Sequence, residues 1–387
     1  MNIKPIKNRI KRSYRLDDAL DTMRMRIVQG EFLPGSKIPT QDDLMKDLGI
    51  AKATMQRLFD ILTSDGFIVP NGSCGTFVAE NPPHLSRFGI VFPFREYDII
   101  HSRFFMGILY ECRQFMAQTN CSFSMYYQPY PTDNKEYERL LDDMKNHRLA
   151  GVIFTSDLGP FLGTEIMIIN DIPRVAMMSN TNTFEPDIPL VYPNHYDFIN
   201  IAVEKMVTDG RKRIAHISLY HLYADLLEEN LINQLNEHQM ESKPYWQLKV
   251  NAATPETVRN AVHCMMKLPV EDRPDGIIIS DDNLVEDTIA GLVDAGVKVP
   301  KDLTIVAHAN FPLCPNSPLP VSYIGFDLQQ ILNKCMEIIS LERQGIIPPS
   351  ASYIPAINYA EYKIINKSNG KKIPLPAIPK AKKGAKV

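Results

Sequence analysis

Residues 47–62 read DLGIAKATMQRLFDIL, a short polar turn followed by an amphipathic segment. Ala51, Met55, Leu58, Phe59 and Leu62 recur at helical spacing, which leaves Lys52, Ala53, Gln56, Arg57 and Asp60 on the other face. Two cations and an amide on an outward face suit a nucleic acid or plain solvent, so the flanks decide. Upstream, Leu16, Leu20, Met23 and Ile27 follow an i, i+4, i+7, i+11 pattern, one face of a helix that Gly30 can end. FLPGSKIP (32–39) then reads as a turn. Thr40 stands three residues before Asp43, as in a capping box, and opens a short helix carrying Leu44 and Leu48 before Gly49 breaks it. After Asp65-Gly66 come two β-rich runs, FIVP (67–70) and GTFVA (75–79), joined by NGSC as a hairpin. Helix, helix, turn, helix, hairpin is the order of a winged helix-turn-helix, here over 14–80. Ser and Cys between glycines in NGSCG also suggest a nucleophile elbow, but that motif needs a helix after it, and a strand follows.

The 387 residues are 44% apolar and 22% charged, the balance of a globular protein of more than one domain. No apolar run approaches ~18 residues, so no membrane partner is expected. Cys74, Cys112, Cys121, Cys264, Cys314 and Cys335 form no CxxC pair and no cluster with His, which predicts neither zinc nor a disulfide framework and suits a reducing cytoplasm. The net charge of −3 hides an asymmetry. Residues 1–15 hold six Lys/Arg and 366–387 hold seven Lys, both without acid, around a body with 29 basic and 45 acidic residues. A basic arm (1–13) and a basic, disordered tail (366–387) on an acidic body suit supplementary phosphate contacts or simple solubility.

The run from IVQGEFLPGSKIPTQDDL through LGIAKATMQRLFDILTSDGFI to GTFVA resembles the GntR-family DNA-binding domain. The resemblance implies that the helix of the opening stretch lies in a major groove and the wing tip reaches the minor groove. The implied DNA-contacting positions are Lys37, Thr40, Gln41, Lys52, Ala53, Thr54, Gln56 and Arg57, with Ser73 and Gly75 in the wing. Asp42, Ala51 and Gln56 stand where the family usually has Arg, Ser or Thr, and Arg. Gln56 suits an adenine reader, and Arg57 supplies a cation one position on. Ala51 cannot cap its helix, a deficit of ~1 kcal/mol. The competing reading is a winged helix that has left DNA and serves dimerisation or protein contact.

Beyond a linker at 81–87 the texture changes. Short apolar runs at 88–92, 122–127, 150–154 and 174–178 precede a second series at 213–219, 245–250, 276–280 and 303–308, with helical patterns between them. Strand-then-helix units at this spacing predict two parallel α/β lobes over 88–365, with ligand at the strand carboxyl ends. The fold class expected is therefore multidomain, a small α+β winged helix followed by a two-lobed α/β domain. LVYPNHYDFINIAVEKMVTDGRKRIAHIS and GVKVPKDLTIVAHAN are similar to the effector domain of LacI-type repressors, which has the periplasmic-binding-protein fold. The pairing with a GntR-type head resembles the arabinose-repressor subgroup. It implies a homodimeric, cytoplasmic regulator of double-stranded DNA with an inverted-repeat operator, responsive to a small molecule, usually a sugar, and without a cofactor. Residues expected around that ligand are Tyr97, Asp98, His101, Ser156, Asp157, Tyr220, His221, Asp281, His308 and Asn310, all placed after strands. No P-loop, HExxH, GxGxxG or Ser/His/Asp order suggests an enzyme. A sensor or scaffold that keeps both folds without binding DNA is the alternative.

Overall fold

The computed structural model describes residues 7–131, 135–177, 188–220, 224–251, 254 and 256–368. The winged helix consists of α1 (Lys7–Val28), α2 (Gln41–Leu48), α3 (Lys52–Asp65), β1 (Ile68–Pro70) and β2 (Thr76–Val78). The basic run at 7–15 is thus part of α1 rather than an arm ahead of it. Thr40 caps α2: its hydroxyl accepts from the Asp43 N–H (3.3 Å) and donates to the Asp43 carboxylate (2.6 Å). Gly49 and Gly66, at φ +64° and +89°, take the left-handed conformation that ends α2 and α3 and lets the chain turn. Leu20, Met23, Ile27, Leu44, Met55, Leu58, Phe59 and Leu62 close into one core with Phe67, Ile68 and Val78. The periodicity of the sequence and the packing agree because each apolar stripe has a partner. Ala51, at the N-cap of α3, makes no side-chain capping bond. Ala51→Ser is therefore expected to stabilise the winged helix by ~1 kcal/mol, read from denaturant midpoints at constant slope; no shift in midpoint would show that α3 is not limited by its first turn.

The stretch expected to be a linker is instead docked. Pro83–Ser86 forms the one-turn helix α4, with Pro83 and Ser86 buried and the Ser86 hydroxyl donating to Asn81 O (2.9 Å). Strand β3 (Arg87–Phe92) follows at once.

Two six-stranded sheets make up the rest. Lobe 1 contains β3, β4 (Ser122–Tyr127), β5 (Gly151–Phe154), β6 (Arg174–Met177), β7 (Leu190–Pro193) and β13 (Ala351–Ile354), in the order β13-β7-β6-β5-β3-β4, all parallel. Lobe 2 contains β8 (Ile214–Leu219), β9 (Gln247–Val250), β10 (Gly276–Ile279), β11 (Thr304–Phe311), β12 (Ser322–Asp327) and β14 (Ile357–Asn358), in the order β14-β12-β11-β10-β8-β9, with β14 alone antiparallel. Helices α5 (Arg103–Gln118), α6 (Lys135–Lys145) and α7 (Glu165–Ile168) accompany lobe 1, and α8 (His195–Thr208), α9 (Ala224–Glu237), α10 (Thr257–Met265) and α11 (Val285–Ala295) accompany lobe 2.

All eight apolar runs read as strands form strands, and the largest trim is at 245–250, where Pro244–Trp246 is a 3-10 turn and β9 begins at Gln247. The two consecutive series fall in separate sheets, β3 to β6 in lobe 1 and β8 to β11 in lobe 2, but other elements cross between them. The chain passes between lobes after β7, after β12 and between β13 and β14, so that α12 (Leu328–Arg343) and β13 return to lobe 1 while α13 (Tyr359–Ser368) follows β14 on lobe 2. The cause is pairing partners: Tyr353 lies beside Tyr192 in register and stacks on its ring (5.5 Å), a contact visible only once the sheet is assembled.

Candidate DNA-binding face and effector cleft

The inward face of α3 is buried at Met55, Leu58, Phe59 and Leu62, leaving Lys52, Ala53, Gln56, Arg57 and Asp60 exposed and Thr54 half-buried. No ion pair engages Lys52 or Arg57 among the described residues. The Gln56 amide donates to Asp60 (2.8 Å), which fixes the direction of its carbonyl. Beside α3 the wing turn at Asn71–Cys74 is exposed, Ser73 included. Lys37 bridges Phe77 and its side chain runs across Gly75, where any Cβ would stand 2.7 Å from the lysine stem. Lys37 and Thr40 are exposed and Gln41 half-buried, and Asp42 and Asp43, next in the chain, are also exposed.

The winged helix is tied to lobe 1 by charge. Asp65, the last residue of α3, accepts from Arg24 of α1 (2.7 Å) and from Arg148 of lobe 1 (3.3 Å). The side chain of Arg24 is 4% exposed and that of Asp65 12%. Arg24 also donates to Asn146, and Arg148 to Asp142 and Asp143. Arg87, at the start of β3, donates to the Asp65 carbonyl (3.3 Å).

Across the two lobes, the expected ligand residues divide. Tyr97 and His101 are exposed and Asp98 half-buried on the 3-10 turn Glu96–His101 after β3, where the Arg95 guanidinium donates to the Tyr97 hydroxyl (2.6 Å). Asp157 closes a local turn by accepting from Gly159 N (3.0 Å), and Ser156 beside it is half-buried. Tyr220 is exposed at the end of β8, and His221 lies outside the described residues. Asp281 caps its own turn, accepting from the Asn283 backbone N–H (2.8 Å). Asn310 is buried, and its backbone and side-chain N–H groups both donate to Asp282 (3.1 and 2.9 Å).

Asp282, next to the expected Asp281, is itself buried. Burial foremost, then the Asp281 charge, holds its carboxyl above the usual carboxylate range. A polar contact between the lobes was not expected from the sequence. Arg103, opening α5, donates its backbone N–H to the Asn283 side chain (3.1 Å) and its guanidinium to Glu286 of lobe 2 (2.8 Å). Only its place two residues after His101 connected it to the expected site.

His308 sits among the rings of Phe198, Phe326 and His195, at 5.5, 5.4 and 6.1 Å, beside the first two crossovers. Both of its ring nitrogens are buried without a hydrogen-bond partner among the described residues. Burial holds its pKa down to about 3, with the His195 charge a lesser cause, and burial brings His216, hydrogen-bonded to Ser280 (2.7 Å), to about 4. Because the folded state lowers these values from 6.5, the unfolded chain takes up protons first as pH falls. Stability is therefore expected intact above pH 6.5 and lost from there toward pH 4, by up to ~1.4 kcal/mol per pH unit for each histidine. His308→Phe keeps a ring in place and should flatten that slope in denaturation measured from pH 7 to 4; an unchanged slope would assign the acid sensitivity elsewhere.

A helix with two exposed cations next to a wing, followed by a two-lobed α/β domain whose chain crosses three times, is the arrangement of a DNA-binding regulator with a ligand-sensing domain. Residues 17–78 match the gntR family of bacterial regulatory proteins, and residues 203–352 match the periplasmic binding protein-like domain. The chain thus carries a gntR-type helix-turn-helix region and a periplasmic-binding-protein-like region, the combination to which transcription repressors such as the following are similar. The arabinose metabolism transcriptional repressor of Geobacillus stearothermophilus is 22% identical over 348 residues, covering 83% of this chain and 91% of that one. The histidine utilization repressor of Pseudomonas aeruginosa is 38% identical over 65 residues, 17% of this chain and 26% of that one. Among solved structures, a putative transcriptional regulator LacI from Bacillus cereus subsp. cytotoxis superposes with a TM-score of 0.56 at 18% identity, over 70% of this chain and 96% of that one. The transcriptional regulator CelR–cellobiose complex gives 0.55 at 14% identity, over 80% and 90%. These likenesses establish the fold of the two lobes.

Proposed function

We propose that the protein is a homodimeric, cytoplasmic repressor that holds an inverted-repeat operator through α3 and the wing and changes its grip when a carbohydrate-like molecule binds between the lobes. The observation that carries this reading is α3 itself, where Lys52 and Arg57 project without an ion pair among the described residues, beside an oriented Gln56, from a helix whose other face is used in the core. Phosphate contacts by cations position such a helix and an amide reads a base edge. Its basic N-terminal residues at 1–13 and its tail at 366–387 add phosphate contacts. Support for the effector comes from the polar groups near the crossovers: His308 has two unpartnered buried nitrogens, and hydrogen-bonding guests satisfy such groups. Tyr97, Asp98, His101, Ser156, Asp157, Tyr220, His221, Asp281 and Asn310 complete the proposed ligand surface. Arg103, which bridges Asn283 and Glu286, ties closure of the lobes to that surface.

Selection of a random duplex library on the purified protein at physiological salt tests the reading, and enrichment of an inverted repeat is the expected result. Release from that duplex is then screened with arabinose and cellobiose, the sugars in the names of similar proteins. The exposed acids Asp42 and Asp43 beside the DNA face favour a second reading, a winged helix that no longer binds DNA. Absence of any enriched sequence would establish that reading instead.

A further inference from the structure

A cleft of about 890 Å³ lies between the winged helix, α4 and lobe 1. Ile27 and Leu33 line it from the winged helix and Leu162 and Met167 from lobe 1, so much of its wall is apolar. Arg343, the last residue of α12, lines it too. Its guanidinium is half-buried and donates to Leu85 O (3.2 Å), yet no carboxylate is in ion-pair contact with it among the described residues. A guanidinium withdrawn from water without a counter-charge is costly, and an anion arriving beside it recovers that cost. His84 lines the same cleft with its ring stacked on Phe67 (5.9 Å) and a buried Nδ1 that has no partner. Burial and the neighbouring Arg343 charge keep the imidazole neutral, so it offers a hydrogen bond rather than a second charge.

Charge count on the cleft sets the valence of the guest. Arg174 is engaged by the carbonyls of Ile166 and Met167, and its backbone N–H by Glu342. Glu342 and Asp171 also line the cleft and oppose a dianion. One cation without an ion pair among the described residues, a neutral donor and an apolar wall fit a small monoanion with an apolar tail.

We propose that this cleft is a second ligand site that takes a small organic monocarboxylate, its carboxylate on Arg343 and His84 and its tail along Ile27, Leu33, Leu162 and Met167. Its walls come from both the winged helix and lobe 1, so an occupant stabilises their docked arrangement independently of a sugar between the lobes.

Hexanoate is the probe, titrated into the full chain without DNA by calorimetry, so that the outcome does not depend on operator binding. Saturable binding is expected, with roughly tenfold weaker binding of the neutral isostere hexanamide and of inorganic phosphate. Arg343→Gln removes the cation, and Leu33→Glu, at a position 44% exposed, sets a carboxylate at the mouth without touching the core. Each is expected to weaken hexanoate by roughly tenfold while circular dichroism remains that of the parent; should Arg343→Gln fail to fold, Leu33→Glu alone decides. No saturable binding, equal binding of hexanamide or phosphate, or hexanoate binding unmoved by the folded variants would each overturn the proposal.

Discussion

An Asp65→Ala variant will lose about 3–5 kcal/mol of stability, because it strips the counter-ion from a buried arginine. The side chain of Arg24 is 4% exposed, and once Asp65 is gone its remaining charge partner is Asp21, at 3.7 Å and largely in solvent. The cost is that of a desolvated guanidinium left behind, not of the bond as such. Arg148 is cushioned by Asp142 and Asp143, so the loss falls on the winged helix first. Asp65→Asn keeps an acceptor for Arg24 and is expected to recover about half of the loss. Urea denaturation followed by circular dichroism measures both. A loss under about 1 kcal/mol for the alanine variant would mean that Arg24 finds water or another partner, and that the winged helix is not clamped to lobe 1 through this carboxylate.

On DNA, Gln56→Ala and Lys52→Ala are expected to fail in different ways. Gln56 is held by Asp60, which leaves its carbonyl and second amide N–H for a base edge. Its removal should relax the preference at one base pair by about 1–3 kcal/mol, with other positions unaffected. Lys52 has no protein partner among the described residues and suits a phosphate. Its removal should weaken every duplex alike and lower the slope of log K against log salt by about one. Binding isotherms on the selected operator and its single-base variants, across a salt series, separate the two. If Gln56→Ala lowers all sequences equally, Gln56 is a backbone contact and base reading belongs to another residue of α3.

From Leu16 onward the winged helix was legible almost to the residue, whereas the start of α1 at Lys7 was not. Thr40 with Asp43, Gly49, Ala51 and the Asp65-Gly66 exit act within one turn of the chain, where capping and left-handed backbone depend on local chemistry alone. The apolar periodicity of α1 and α3 gave the inward face because a helix has only one direction in which to bury a stripe. The lobes were legible as strands and helices but not as partners. Four further strands escaped: β7, β12 and β13 lie outside the apolar runs read as strands, and β14 is only two residues long. Of the expected ligand residues, the exposed ones lie where a strand-end rule puts them. His308 and Asn310 were expected to face a ligand, and their burial among rings and against Asp282 could not be read from residue type.

The chain by itself determined the helix-turn-helix, its wing, the alternation of strand and helix, and the cationic outward row of α3, since each rests on spacing within a few residues. Tertiary structure alone decided that α4 docks rather than hangs, that β13 returns to lobe 1, and that Arg103 meets Glu286, 183 residues away. It alone also brought Asp65 to Arg24 and Arg148 across separations of 41 and 83 residues. The physical reason is the range of the forces. Backbone propensity and amphipathic periodicity act over one or two turns of chain, whereas an ion pair or a cleft depends on which surfaces the packed lobes bring face to face.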